Sequence, residues 1–349
     1  MTQHDTVRTR SPWVLSLVRS YGSHILVPLF LAAGMALAYL GAFHHPQPRH
    51  LEVAVVGEGP QTQVLAQTLT DGSDGALIVH AVGSVDDARA QIADRTLAAA
   101  YSADADHAEL LVASASSETT AQIAGRVFQQ LAFDQNLPFR TVDVVPTGAE
   151  DPTNQGLFFL LVALSVGGYS SALALAVYAE KLRPWVTAVL GIATSAAVAA
   201  IGVLVAGPLY GVIDHGVWRI FGLAWLYVAA ILAIGVALHP VLGRWTTPTL
   251  TLLFVMLNFT SSGGIFQTEL QPRLFAGLES FWNGAAWLDA AKSVAYFPAA
   301  GIGGDVVQLV AWLVVGVVAA GVTRVLVRRH RPAAELRGPL SEEEEVVAA

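Results

Sequence analysis

The 349-residue chain contains no cysteine. That excludes a disulfide framework, a thiolate metal site and a cysteine nucleophile. Charge is scarce: 13% of residues are Asp, Glu, Lys or Arg, against 54% hydrophobic, and mean hydropathy is +0.54. No Gly-x-x-x-x-Gly-Lys-Ser/Thr run is present to wrap a phosphate in backbone N–H groups, and no Gly-x-Ser-x-Gly. Gly57-Glu-Gly59 lacks the third glycine of a dinucleotide fingerprint, so these glycines read as turn residues. The chain carries no catalytic motif, and neither a cofactor nor a nucleic-acid partner is expected. His44, His45 and His50 cluster, but Pro46 and Pro48 intervene and no i, i+4 pair forms. They read as a solvated stalk, not a metal site.

What the chain has is apolar length. A helix needs about 20 apolar residues to cross a bilayer. Six stretches meet or approach that: 25–43, 157–179, 186–206, 217–238, 249–266 and 306–327. The fifth is the weakest, diluted by Asn258, Thr260, Ser261 and Ser262. The expected fold is an α-helical polytopic membrane protein with six transmembrane helices in a one-plus-five arrangement. An α/β domain, residues 44–155, is inserted between the first two. Ala36-Leu37-Ala38 offers a small-x-small cleavage site, yet the apolar run continues past it, so the first span reads as an uncleaved anchor. Ahead of it, residues 1–24 hold Trp13, Val14, Leu17 and Val18 beside Arg10 and Arg19. That pattern suits either a short interfacial helix or a disordered basic leader.

Basic residues orient the spans. Arg8, Arg10 and Arg19 precede the first; Lys181 and Arg183 lie between the second and third, Arg244 between the fourth and fifth. Arg324, Arg328, Arg329 and Arg331 close the sixth. These regions read as cytoplasmic in a plasma membrane, with both termini and the tail 328–349 inside and residues 44–155 outside. The outer insert holds fifteen acidic residues against five arginines and no lysine, a net charge of −10. The interiors of spans two, three, five and six carry no acidic or basic side chain, which argues against an ion-coupled transporter. Arg219 lies near the outer surface, where it can snorkel.

Within the insert, β-rich runs at 51–56, 76–82, 97–101, 109–113 and 141–145 alternate with helical patterns at 61–69, 84–94 and 119–135. The order β-α-β-α-β-β-α-β predicts a small α/β layer that holds itself together by core packing alone. In the membrane, Gly167, Gly168, Gly191, Ser195, Gly316 and Ala320 are small residues that allow close helix approach. They read as intramolecular packing sites or as a dimer face.

Three further stretches carry a resemblance. The run 86–101 is an acidic, Ala-bearing helix leading into an apolar strand. Asp151-Pro-Thr-Asn-Gln-Gly156 with Leu164-Ser-Val-Gly-Gly168 forms the entry to span two. Ser261-Ser-Gly-Gly264, Leu270-Gln-Pro272 and Phe281-Trp-Asn-Gly-Ala-Ala-Trp287 precede the last span. With the one-plus-five topology, this order resembles the type-2 ABC exporter permeases, and most closely their phage-infection-protein-like branch. The resemblance implies a homodimer, or a heterodimer with a similar chain, embedded among membrane lipids. It would move a hydrophobic or amphipathic substrate outward, with an ATPase on a separate polypeptide. The partner would be contacted through Glu180, Lys181 and Arg183. That connection is only about five residues long, little surface for docking. A non-transporting envelope scaffold or surface receptor on the same fold therefore stands as the alternative, and a secondary drug exporter as a third.

On the exporter reading, residues 261–304 form a re-entrant and interfacial segment along the substrate path. Ser261, Ser262, Gly263 and Gly264 would dip into the membrane as a turn. Trp282 and Trp287 would belong to a headgroup-level helix over 281–297, anchoring it or shaping the exit. Asp289 and Lys292, three residues apart, read there as a modest surface pair worth about 0.2–0.5 kcal/mol.

Overall fold

Long apolar runs satisfy their backbone groups internally only as helices, and the chain follows that rule. The computed structural model describes residues 12–179 and 181–330. Arg8, Arg10, Glu180, Arg331 and the acidic tail at 342–345 lie outside the described residues. The long helices are α1 (Pro12–Phe43), α5 (Gly156–Ala179), α6 (Pro184–Leu204), α7 (Val217–Leu242) and α12 (Gly303–His330). A π-helical turn, Val205–Leu209, prolongs α6. Helix α1 is continuous, so the pre-span segment joins the first span instead of forming a separate element.

Five stretches among the described residues are long and apolar enough to cross a bilayer: Ile25–Phe43, Gly156–Ala179, Pro184–Leu209, Val217–Ser261 and Gly303–Val327. This is the build of a multi-pass membrane protein. The fourth stretch, 45 residues long, merges the expected fourth and fifth spans. It is not one rod. Gly243, at φ 52, ends α7 in a conformation that L side chains rarely adopt. The chain then returns as α8 (Thr246–Thr251), a π-helical segment (Leu252–Leu257) and α9 (Asn258–Ser261). A Cβ on Gly235 would sit 3.0 Å from Leu250 Cδ1, and Asn258 Nδ2 donates to Tyr227 Oη at 2.6 Å. Both pairs straddle Gly243 evenly, the signature of a helical hairpin.

The polar residues that dilute the returning leg all face inward. Asn258, Thr260, Ser261 and Ser262 are buried. Thr260 Oγ1 donates to Met256 O at 2.9 Å and Ser261 Oγ to Leu257 O at 2.6 Å, while Trp282 Nε1 donates to Leu253 O inside the π segment. A π-turn leaves carbonyls poorly paired, and these side chains satisfy them.

Between α1 and α5 the chain forms the α/β layer. Its elements are β1 (Leu51–Val56), α2 (Pro60–Gly72), β2 (Leu77–Val82), α3 (Val85–Ala93), β3 (Ala99–Ala103), β4 (Ala108–Val112), α4 (Glu118–Asp134) and β5 (Phe139–Asp143). The sheet order is β2-β1-β3-β4-β5, parallel except for the β3–β4 pair. One face, with Val53, Val55 and Leu110, is covered by Ala66 of α2 and by Ala124 and Phe128 of α4. The other face, with Ala54, Ala100 and Leu111, has only α3 from the layer itself. Phe297, beyond the layer in sequence, closes that cluster. A sheet with apolar residues on both faces must bury both, so this layer is completed by the helical half.

That half also contributes α10 (Arg273–Glu279) and α11 (Asn283–Tyr296). Small residues set the helix contacts within the chain. A Cβ on Gly167 would meet Val198 at 2.7 Å, on Gly168 Ile231 at 3.3 Å, on Gly191 Leu232 at 3.2 Å and on Gly316 Ala233 at 2.9 Å. Ser195 Oγ accepts the Trp225 indole N–H at 3.1 Å. Ala320 lines an apolar groove of about 310 Å³ with Ala179, Val236 and Pro240. Exposed Leu26, Leu29, Leu37 and Leu40 of α1 and Val307, Val314, Val318 and Val325 of α12 are the sides left for lipid.

Candidate functional site

Helix α11 departs most from expectation. Its Trp287 is 0% exposed and Trp282 7%, and every residue from Asn283 to Leu288 is buried. It is an interior helix packed between α5, α7, α12 and the α/β layer, not one laid on a lipid surface. Trp287 lies against Tyr227, ring centroids 6.0 Å apart, and its burial keeps it from lipid. The helix is anchored at its start by Asn258, whose Oδ1 accepts the Gly284 N–H at 3.0 Å. Asn258 also binds Tyr227 Oη, which shares a 2.6 Å hydrogen bond with Ser165 Oγ. One buried polar chain thus ties α5, α7, α9 and α11.

Asp289 and Lys292 are likewise not a surface pair. Asp289 is ion-paired with Arg95, from the α/β layer. Lys292 is 4% exposed, and its Nζ donates to Ser116 O at 2.9 Å. Burial, and after it the nearby Arg95 charge, pull the Lys292 ammonium down to about 8, with Asp289, Glu279 and Asp151 opposing.

Arg95 reaches this position through backbone geometry. It follows the end of α3 at φ 63. Arg95 N–H bonds Ile92 O and Thr96 N–H bonds Gln91 O, the paired bonds of a left-handed helix stop. Asn136 does the same after α4, at φ 56. Asn tolerates this region; an Arg there is unusual. Its guanidinium lies 5.3 Å over the Phe297 ring and donates to Ser293 Oγ at 2.9 Å.

A second grip holds the turn before α4. Gln267 Nε2 donates to Ser116 Oγ at 2.8 Å, and its Oε1 accepts from Thr120 Oγ1 at 2.9 Å. Asn154 Nδ2 donates to Ala115 O at 2.7 Å, while Asp151 carboxylate oxygens accept the Gln155 and Gly156 N–H groups that open α5. Arg49 N–H donates to Glu269 O at 2.7 Å.

Between the two halves lies a cavity of about 520 Å³. The layer contributes Glu52, Asp94, Arg95, Leu97 and Ser116. The helical half contributes Ser262, Gly263, Glu269, Glu279, Asp289, Lys292 and Asp305. Glu279 is partly exposed on the wall yet surrounded closely enough that desolvation pushes its carboxyl up to about 7; the Thr268 hydroxyl bonded to it works the other way. Gly263 sits at φ 70, and a Cβ there would lie 2.7 Å from Glu279 Oε1.

Of the residues expected along a substrate path, Ser262 and Gly263 reach this cavity. Ser261 turns back onto its own helix, Gly264 is held against the Phe158 ring, and Trp282 and Trp287 are enclosed. The turn at 262–266 connects the hairpin to a 3-10 turn, Thr268–Leu270, that contacts the layer. Lys181 and Arg183 are exposed at the α5–α6 turn, where Arg324 donates to Leu182 O; Glu180 lies outside the described residues. Arg95, Glu279, Lys292 and Asp305 escape sequence reasoning because each looks like an ordinary surface charge. The one available signal is that Lys292 falls in an otherwise small and apolar run. Compared with family models, with curated proteins and with solved structures, the chain matches none.

Proposed function

We propose that the chain is the membrane-spanning subunit of an exporter, driven by an ATPase on a separate polypeptide and acting as a dimer of like subunits. On this reading there are six crossings, both termini are cytoplasmic and the α/β layer is extracytoplasmic. The Lys181–Arg183 and Gly243–Trp245 turns then lie inside. The returning hairpin leg, Thr246–Ser261, counts as the fifth crossing. Its sixteen residues rise only ~24 Å against a hydrocarbon core of ~30 Å. Its Ser- and Gly-rich end would therefore stop short of the outer boundary and open toward the cavity.

The observation that carries the reading is that α11 belongs to both halves. It is buried among α5, α7 and α12 and charge-clamped to the layer by Arg95–Asp289 and Lys292–Ser116. On this reading a tilt of the helices carries the layer with it, a coupling that an exporter with an outer domain would use. Purification of the full chain from its native membrane in mild detergent is the test. A stoichiometric ATPase polypeptide should accompany it.

The scaffold or receptor reading is favoured by a different observation. α5 ends at Ala179 and α6 begins at Pro184, and Arg324 closes the turn between them, leaving little surface for a motor to grip. A chain that purifies without any ATPase, and whose deletion phenotype is unaffected by ATP depletion, would overturn the first reading and favour this one.

A further inference from the structure

The cavity between the α/β layer and the helical half has the size of a small-molecule site, about 520 Å³ within a usual range of roughly 300–1,000 Å³. Its charges are unevenly committed. Six carboxylates line it (Glu52, Asp94, Glu269, Glu279, Asp289 and Asp305) against two cations, Arg95 and Lys292. Both cations are already engaged by the protein: Arg95 by Asp289 and Ser293, Lys292 by Ser116 O. Glu52 is engaged by His80. Among the described residues, no cationic side chain forms an ion pair with Asp94, Glu269, Glu279 or Asp305. Like charges held together in a partly dry cavity repel, and the charges of Glu269 and Asp289 are both felt at Glu279, with the Lys292 ammonium, which forms no ion pair with it, opposing them.

A second, independent feature is Ser262. It is 4% exposed, lies on the cavity wall, and its hydroxyl has no hydrogen-bond partner among the described residues. A buried hydroxyl left unpaired is costly unless something outside the protein binds it. The carboxylates on their own would be a solvated patch. Together with an orphaned hydroxyl in a walled cavity, they form an incomplete coordination shell.

We infer that this cavity binds a small organic polycation, a ligand presenting primary ammonium groups to Glu279, Asp305 and Glu269 and a hydrogen-bonding group to Ser262. A linear polyamine has the required chemistry: several N–H donors for carboxylates, separated by methylene spacers that lie against Leu51, Leu97 and Leu288. Because the wall comes from both halves, such a ligand bridges the layer and α11 and stabilises their contact. The inference does not depend on the chain exporting anything.

The test is calorimetric titration of the full chain in detergent with spermidine, putrescine and the neutral 1,4-butanediol. Spermidine should bind saturably and more tightly than putrescine, and butanediol should not bind. Asp305→Asn and Glu279→Gln should each weaken spermidine at least tenfold, while Glu58→Gln, exposed and away from the cavity, should leave it unchanged. Hydrogen exchange on the unmodified chain gives a readout that needs no variant: spermidine should slow exchange at 116–120 and along α11. Failure of spermidine to saturate overturns the proposal. So does equal affinity for the variants, protection confined to other segments, or preferential binding of inorganic phosphate that is lost in Lys292→Met.

Discussion

Arg95 holds a backbone conformation that favours glycine, and it does so to aim a guanidinium at Asp289 and Ser293. Two substitutions separate these effects. Arg95→Ala removes the contacts and keeps the strain, and should lower the stability of the layer's attachment by about 1–2 kcal/mol, given that Asp289 is 49% exposed. Arg95→Gly removes both contacts and strain, and should recover about 1 kcal/mol of that loss. Hydrogen exchange across α3 and α11 reads the difference; equal losses would mean that the left-handed residue stores no strain. Glu279 and Lys292 give a pH signature. Glu279 is raised from 4.5 to about 7, so its stabilising contribution is complete below pH 4.5 and lost as pH rises through 7. Lys292 is lowered from 10.5 to about 8, so its contribution is present above 10.5 and lost as pH falls through 8. Both are least favourable between pH 7 and 8. The melting temperature of the purified protein should fall from pH 5 to pH 8, and Glu279→Gln should flatten that fall. An unchanged slope would show that Glu279 does not titrate in this range.

At the scale of elements, a glycine in α7 and one in the turn that follows α9 have quite different surroundings. A Cβ on Gly264 would overlap the Phe158 ring, whereas one on Gly222, in α7, meets nothing within 4 Å. Gly264→Ala should destabilise by about 1–3 kcal/mol through overpacking. Gly222→Ala should be neutral or stabilising by up to about 1 kcal/mol, from helix propensity alone. Thermal melts in one detergent compare the two, and a Gly264→Ala protein as stable as Gly222→Ala would refute the close approach. The α/β elements are legible in the sequence because their signals are local: the Ser84 and Ser117 side chains each accept an N–H three residues on, the chemistry that opens α3 and α4. The interior position of α11 is not legible there. Trp282, Trp287 and Tyr296 beside Glu279, Asp289 and Lys292 have the composition of a headgroup-level helix. The same composition also serves a helix with one side against apolar helices and the other against a polar cavity.

Across the whole molecule, the chain has two ends of opposite character, basic turns at one and an acidic α/β layer at the other. Single cysteines are informative in a chain with none. On intact cells, Gln63→Cys on exposed α2 should react with a membrane-impermeant reagent, and Thr247→Cys beside the Gly243 turn should not. The reverse pattern would invert the orientation and place the cavity in the cytoplasm. The same pair of sites also checks α5, α6 and α7 as three crossings, because they put Thr247 and the layer on opposite sides.

Composition and hydropathy by themselves determined that the chain spans a membrane several times, that a β-α alternating layer sits between the first two long helices, and that no disulfide holds it. These are local properties: a span is written in twenty consecutive residues, a strand in five or six, and a missing cysteine anywhere. The tertiary structure decided what the charges do. Lys292 meets its acceptor 176 residues away in sequence, and Arg95 meets Asp289 across 194. Whether a lysine is solvated or buried depends on which surface folds over it, and the surface here comes from a sheet that lacks cover on one face. The layer needs Phe297 to close its core, and in taking it brings Arg95 and Ser116 down onto α11. The cavity and its unpaired carboxylates follow from that docking.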